Sequence, residues 1–443
     1  MTEARQESPG SAEQAMQGTE ARRRERWWVE ASIWTERMVS ALANGVKGGK
    51  WFSLVDKVYR PSTLEAAWRK VERNKGAAGV DGQSIERFAA QAERYLTELQ
   101  EQLKDGSYRP APVKRVEIPK GDGRTRPLGI PTVKDRVVQT ALKMAIEPIF
   151  EAQFRPGSYG FRPGRSCKEA LREVDRLLKD GYSFVVDADL KSYFDTIPHD
   201  RLMGRVANSI SDGRILALIE SFLRQDIMKD MERWRPTTGT PQGAVISPLL
   251  ANIYLHPLDL LMEESGYRMV RYADDFVILC RTEDEALAAF RQIEAWVTAN
   301  GLTLHPDKTR IGDSRQPGQG FDFLGYRFEA GYRFVRKKSL KAFKDKVRAK
   351  TGRSRGVSLE RIISDLNPVL RGWFGYFQYV VPSEFRLLDS FIRRRLRAIL
   401  RKQEKRPGFG RCPDDHQRWP NTFFAAHGLF TLSAAHQHAR HPR

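Results

Sequence analysis

The chain of 443 residues contains only three cysteines, Cys167, Cys280 and Cys412, too widely spaced for a disulfide framework or a paired-cysteine metal knuckle. Such usage implies a reducing, cytoplasmic setting. Long apolar runs are also missing. No stretch approaches the ~18 apolar residues that a membrane span needs. The opening MTEARQESPG has no apolar core behind its first charges, which excludes a secretory signal. Negative charge is in short supply: 55 Asp and Glu stand against 75 Lys and Arg, a net charge of +20. An excess of that size implies an anionic partner, either nucleic acid or an acidic membrane surface.

The length suits two or three domains at roughly 100–200 residues each. Residues 1–25 are polar, nearly devoid of apolar side chains, and read as a disordered leader. Beyond them Leu64, Ala67, Trp68 and Val71 fall on one helical face, and residues 84–104 and 132–150 read as helices. KGAAGVDG (75–82) reads as a loop, and 108–131 as two short strands around a GDG turn. SFVVDAD (183–189) is an apolar, β-branched run ending in carboxylates, the pattern of a buried strand. MVRYADDFVILC (269–280) has two apolar arms about ADD and predicts a hairpin with acid at its tip. Residues 284–300 predict an amphipathic helix.

From 333 to 406 there are 22 Lys and Arg against 6 Asp and Glu, so this stretch carries +16 of the chain's +20. Within it Phe391, Ile392, Leu396, Ile399 and Leu400 predict the apolar face of a helix over 391–401. Arg393, Arg394, Arg395, Arg397 and Arg401 lie off that face. A basic helix also suits a membrane surface. Most of the charge in one stretch, beside an acidic constellation elsewhere, fits a grip on nucleic acid better.

That constellation is Asp189 at the end of one strand with Asp274 and Asp275 at the hairpin tip. Phosphoryl transfer by two metals calls for such a set, because two Mg²⁺ ions ~3.5–4 Å apart clamp the attacking and leaving oxygens. Mg²⁺ takes carboxylates together with substrate phosphates, so three Asp suffice. Taken alone, ADD is also an ordinary turn.

Its company decides the matter. The motifs RPLGIPTVKDRVVQTAL (126–142), SYGFRPGRS (158–166), DADLKSYFDTIPH (187–199), GTPQGAVISPLLANIYL (239–255), RYADDFVIL (271–279), LTLHPDKT (302–309) and FDFLGYRF (321–328) occur in one order. With them the chain strongly resembles reverse transcriptases, specifically those encoded by bacterial group II introns. LNPVLRGWFGYFQY (366–379) resembles the thumb, or maturase, segment of that branch. The resemblance implies an α+β right-hand polymerase: fingers and palm over 26–332, with an antiparallel sheet packed on helices, and an α-helical thumb over 333–410. It implies an RNA-directed DNA polymerase that also binds its intron RNA, assists splicing and takes part in retrohoming. The partners implied are intron RNA, an RNA template with a DNA or RNA primer, dNTPs and target DNA, with no membrane.

By the same resemblance Asp189, Asp274 and Asp275 are the ligands of two Mg²⁺ ions, for which Mn²⁺ is a possible substitute. Asp187 and Asp195 take surface or supporting roles. Phe194 stacks beneath the incoming sugar and excludes a 2′-hydroxyl. Lys120 and Arg126 lie over the triphosphate, and Gln242 touches the nucleotide or template, with Gly243 allowing close backbone approach. Lys308 is a possible general acid for the departing pyrophosphate. Trp373, Phe374, Tyr376 and Phe377 are thumb core rather than base-stacking platforms, while Arg393, Arg394, Arg397 and Arg401 hold RNA. After the thumb, residues 411–443 offer only Cys412 and scattered histidines, so no zinc-bearing endonuclease domain is expected there. Competing readings are a related reverse transcriptase acting in defence or repair, or an RNA-binding splicing cofactor that does not polymerise.

Overall fold

The computed structural model describes residues 28–119, 125–230, 232–410 and 412–440. The leader expected over 1–25 lies outside the described residues. The fold is α+β. It divides into two compact units, neither continuous in sequence. The first takes the described residues up to Glu173, Ala188–Phe276 and Ala289–Asp307; the second takes Val174–Asp187, Val277–Ala288 and the chain from Lys308. This partition cuts across the chain-order division at 332/333 drawn from composition.

In the first unit, the helix Val133–Glu151 carries Val137, Val138, Leu142 and Ile146 fully buried. Apolar side chains round the circumference mark a helix enclosed by protein. Thr132 starts it, its hydroxyl accepting the Asp135 N–H at 3.2 Å. The helix Pro61–Asn74 packs against it and buries the Leu64, Ala67, Trp68, Val71 row. The helix expected over 84–104 is in fact two, Ile85–Ala89 and Ala92–Asp105. Packing explains the break. Phe88 and Tyr95 would stand about 10 Å apart along a continuous helix; their rings are 5.0 Å apart, and Phe88 lies 4.4 Å from Trp68.

The strands, in chain order, are β1 Val113–Pro119, β2 Thr125–Ile130, β3 Phe184–Asp189, β4 Ile227–Lys229, β5 Glu232–Trp234, β6 Arg268–Tyr272, β7 Asp275–Cys280, β8 Arg310–Asp313, β9 Phe321–Phe323, β10 Tyr326–Glu329 and β11 Tyr332–Val335. One sheet has the order β2–β1–β4–β5, with β1 and β2 antiparallel from Lys114↔Ile130 to Pro119↔Thr125. Another has the order β6–β7–β3–β8, with β3 and β8 antiparallel from Phe184↔Asp313 to Asp187↔Arg310. A third is the meander β9–β10–β11.

In the second unit the helices Lys337–Lys350, Leu359–Phe377 and Pro382–Gln403 share an aromatic core. Trp373 stacks on Phe343 at 4.4 Å and lies 4.9 Å from Phe377, while Phe374 lies 5.6 Å from the fully buried Phe385. The residues after 411, for which the sequence offered no physical account, fold back onto these helices. Asp389 accepts the N–H groups of Leu432 and Ser433 at 2.9 and 3.0 Å. Asn367 donates to the Gly428 carbonyl and accepts from the Phe430 N–H, each at 2.8 Å. Among the described residues no helix is long and apolar enough to cross a membrane.

Candidate active site

Asp189 is the last residue of β3. Its carbonyl accepts the His305 N–H at 2.7 Å, and Lys191 N–H donates to the Thr303 carbonyl at 2.8 Å, with Leu190 bridged to Leu304. The LTLH segment therefore runs beside the end of the strand and fixes the backbone from which the Asp189 carboxylate projects. Asp187, two residues earlier, has another setting. Burial pushes its carboxyl up to about 6, against the pull of Arg310, whose guanidinium stands at 3.3 Å. A carboxylate engaged with Arg310 suits a supporting place rather than an open ligand position.

Asp274 and Asp275 follow a turn whose pivot, Ala273, has φ +60°, a left-handed conformation costly for a residue with a Cβ. Two contacts hold the pivot. From one side Gly160 presses on it: a Cβ at that position would stand 2.2 Å from the Ala273 nitrogen, so only glycine fits. From the other, the Arg271 guanidinium donates to the Ala273 carbonyl at 2.9 Å. Arg271 is fully buried. Burial is the largest single influence and disfavours its charge, but the charge and hydrogen bonds of Asp259, together with Tyr193 and Asp274, hold its pKa above the ordinary arginine value. Sequence reasoning missed Arg271, Asp259, Asn252, Ser158 and Gly160. The one signal available was an arginine inside the otherwise apolar first arm of the hairpin.

Phe194 and Gln242 are brought to one open cleft of about 340 Å³, lined also by Arg115, Pro127, Gly129, Asp195 and Thr240. Phe194 sits in the short helical turn Tyr193–Thr196, its carbonyl accepting the Thr240 N–H at 2.7 Å and its ring edge-on to Phe161 at 6.4 Å. The Gln242 amide donates to Asp195 at 3.2 Å. Gly243, at φ +106°, lets the loop approach β2, where Gly129 N–H donates to the Gln242 carbonyl at 2.6 Å. A Cβ on Gly243 would lie 2.4 Å from the Gly129 oxygen. Arg126 is exposed on β2, next to Pro127 of the cleft. Lys120 lies outside the described residues. Lys308 belongs to the second unit, whereas all three aspartates, Phe194, Gln242 and Arg126 belong to the first.

The arginines expected to hold RNA do not share one solvated face, which corrects the sequence reading. Arg394 is half-buried, its guanidinium 5.7 Å from the centre of the Phe391 ring. Arg393 is half-buried, with its Nε lacking a hydrogen-bond partner. Arg397 is 2% exposed and donates to the Trp419 carbonyl at 2.9 Å and to Asn421 at 3.1 Å. Arg401 donates to the buried carboxylate of Asp415 at 2.6 Å and to the Cys412 sulfur at 3.0 Å. For Arg397 and Arg401 the cause is the returning C-terminal segment, whose Trp419, Asn421, Cys412 and Asp415 take up their donors.

Among the described residues no group of three or more His, Cys, Asp or Glu is gathered tightly enough to hold an ion unaided. The donor set still fits Mg²⁺: Asp189, Asp274 and Asp275 offer hard oxygen ligands, and Mg²⁺ is ordinarily held by one or two carboxylates completed by phosphates and water.

Residues 118–328 match the family model described as reverse transcriptase (RNA-dependent DNA polymerase), and residues 340–416 match the group II intron, maturase-specific domain. Protein YkfC of Escherichia coli is 37% identical over 316 residues, covering 62% of this chain and 82% of that protein. The group II intron-encoded protein LtrA of Lactococcus lactis is 39% identical over 203 residues; the match spans 45% of this chain and a third (33%) of LtrA. A partial Cas6-RT-Cas1–Cas2 complex is 27% identical, covering 56% of this chain and 41% of that one, with a TM-score of 0.35. The chain belongs to the group II intron-encoded reverse transcriptases, RNA-directed DNA polymerases joined to a maturase-specific domain.

Proposed function

We propose that the chain extends a primer on an RNA template by nucleotidyl transfer at Asp189, Asp274 and Asp275, and that it binds a group II intron RNA, assists its splicing and takes part in its retrohoming. The observation that carries the catalytic reading is the pair of backbone restraints on these carboxylates. The end of β3 is fixed by His305 and Thr303, and the turn before Asp274 is fixed by Gly160 and Arg271. Carboxylates whose main chain is immobile lose little on binding a cation, which is what preorganised electrostatic catalysis requires.

Bound Mg²⁺ would activate the primer hydroxyl and neutralise charge on the transferred phosphate. The protein's own part is placement. Phe194 occupies the cleft wall where bulk opposes a 2′-hydroxyl, so dNTPs are preferred. Gln242, oriented by Asp195, presents its backbone and amide to the nucleotide or template. Lys120 and Arg126 supply positive charge over the triphosphate, and Lys308 donates a proton to the departing pyrophosphate. The basic second unit supplies phosphate contacts to RNA, with Arg393 and Arg394 nearer solvent than Arg397.

The deciding experiment is Mg²⁺-dependent primer extension on an RNA template by the full chain, alongside splicing of the RNA that flanks its coding sequence. Extension without any effect on splicing would favour a defence or repair relative. Splicing assistance without extension would leave a splicing cofactor.

A further inference from the structure

Arg271 uses every hydrogen-bond donor it has. Its Nε and Nη2 donate to the two oxygens of Asp259, its Nη1 to the Asn252 side-chain oxygen and the Ala273 carbonyl at 2.9 Å each, and its Nη2 also to the Ser158 hydroxyl at 2.8 Å. That accounts for all five N–H groups of a guanidinium. Its main chain is held as firmly, the N–H donating to Gly157 and the carbonyl accepting from Tyr159. Asn252 completes the enclosure by donating to the Gly160 carbonyl at 2.8 Å. Two separate segments, residues 157–160 and the helix Ser247–Glu264, therefore converge on Arg271, whose guanidinium holds the carbonyl of the peptide that joins Ala273 to Asp274.

Stability alone does not ask for this construction. A buried ion pair can usually be replaced by well-packed apolar side chains at little cost or at a gain. What an apolar pair cannot do is hold a carbonyl oxygen in one orientation, and here that oxygen belongs to a residue in a strained left-handed conformation directly before a carboxylate of the site. Strain of that kind persists only where the surroundings over-determine it.

We propose that Arg271 is a positioning residue that sets the direction of Asp274 through the Ala273 carbonyl, with Asp259, Asn252 and Ser158 holding the guanidinium in register. The inference rests on the reading of Asp274 as a metal ligand. A lysine at 271 keeps the charge but lacks the planar fork and cannot reach Asp259, Asn252, Ser158 and Ala273 together.

The test compares the full chain with Arg271→Lys, Ser158→Ala, the paired Arg271→Met/Asp259→Leu, and Asp274→Ala as reference. The readouts are kcat and KM for primer extension, the Mg²⁺ concentration giving half-maximal rate, and Mn²⁺ binding followed by electron paramagnetic resonance without substrate. In Arg271→Lys kcat falls about tenfold or more, because a small misplacement at a reacting centre is costly. The Mg²⁺ midpoint rises and Mn²⁺ binding weakens toward that of Asp274→Ala, while the KM for dNTP and the affinity for RNA change little. Ser158→Ala moves the same quantities less, and it creates no unpaired buried charge. If Arg271→Lys does not fold, the paired variant, which removes both charges, is expected to fold and to show the same metal defect. Wild-type Mg²⁺ and Mn²⁺ behaviour in any folded variant at position 271 overturns the proposal. An Asp274→Ala protein as active as wild type instead overturns the ligand assignment beneath it.

Discussion

The guanidinium of Arg397 donates through Nε to the main-chain carbonyl of Trp419 at 2.9 Å, tying the helix Pro382–Gln403 to the segment that follows it. A positively charged side chain in the most basic part of the molecule thus serves the interior. Its neighbour Arg401 does the same through Asp415, whose carboxylate is itself buried.

Arg397→Ala is therefore expected to cost stability rather than RNA affinity alone. Removing a buried charged donor leaves the Trp419 carbonyl and Asn421 without it, a loss of about 2 kcal/mol. Arg394→Ala removes a half-buried cation that packs over Phe391, so it should change Tm less than Arg397→Ala and weaken RNA binding, with a shallower dependence on salt. Thermal melts and a salt series of RNA affinities on both variants separate the two roles. Equal behaviour of the two would refute the division.

On the proposed metal-ligand role of Asp274, Asp274→Ala should reduce primer extension by about a thousandfold or more, because losing a ligand removes the charge stabilisation that the cation would supply. RNA affinity should stay close to wild type. Wild-type-like extension by this variant would discard the assignment.

Phe194→Ala should relax sugar choice. The ring lines the cleft beside Gln242, and with it gone no bulk at that position opposes a 2′-hydroxyl. The ratio of dNTP to rNTP incorporation is expected to fall about tenfold or more, the usual scale for steric discrimination in a pocket. An unchanged ratio in a variant that still polymerises excludes the gate.

The first unit also contains a pH-dependent element. Burial pushes the Asp135 carboxyl up to about 6, although Tyr108, Thr132 and Ala111 donate hydrogen bonds that favour its charged form. Between about pH 4 and 6 the folded chain holds a proton that the unfolded chain has lost. Stability therefore falls as pH rises through that window and levels off above it, by an amount on the order of 2–3 kcal/mol. Asp187, raised to about 6 chiefly by burial, contributes with the same sign. Thermal melts from pH 4 to 7 should show a smaller slope for Asp135→Asn than for wild type. An identical slope would mean that Asp135 is ionised throughout.

What the sequence by itself determined was local. The runs before Asp189 and on either side of Asp274–Asp275 are apolar and β-branched, and strand geometry follows from side chains that alternate across a pleat. The carboxylates were legible as strand-end residues for that reason, and the order of the motifs was enough to place the chain in its family. Phe194 and Gln242 were legible through their motifs, but not the Asp195 contact that orients Gln242. Where a long-range partner takes part, the pattern is silent. The break between Ile85–Ala89 and Ala92–Asp105 answers to Phe88 meeting Tyr95 and Trp68. The five bonds of Arg271 reach residues as distant as Ser158, and Arg397 is interior because residues beyond 411 return to cover it. An arginine's environment depends on which segments the fold lays across it, and helical periodicity places only its own turn. Tertiary structure alone decided which cations face solvent and which hold the turn before Asp274.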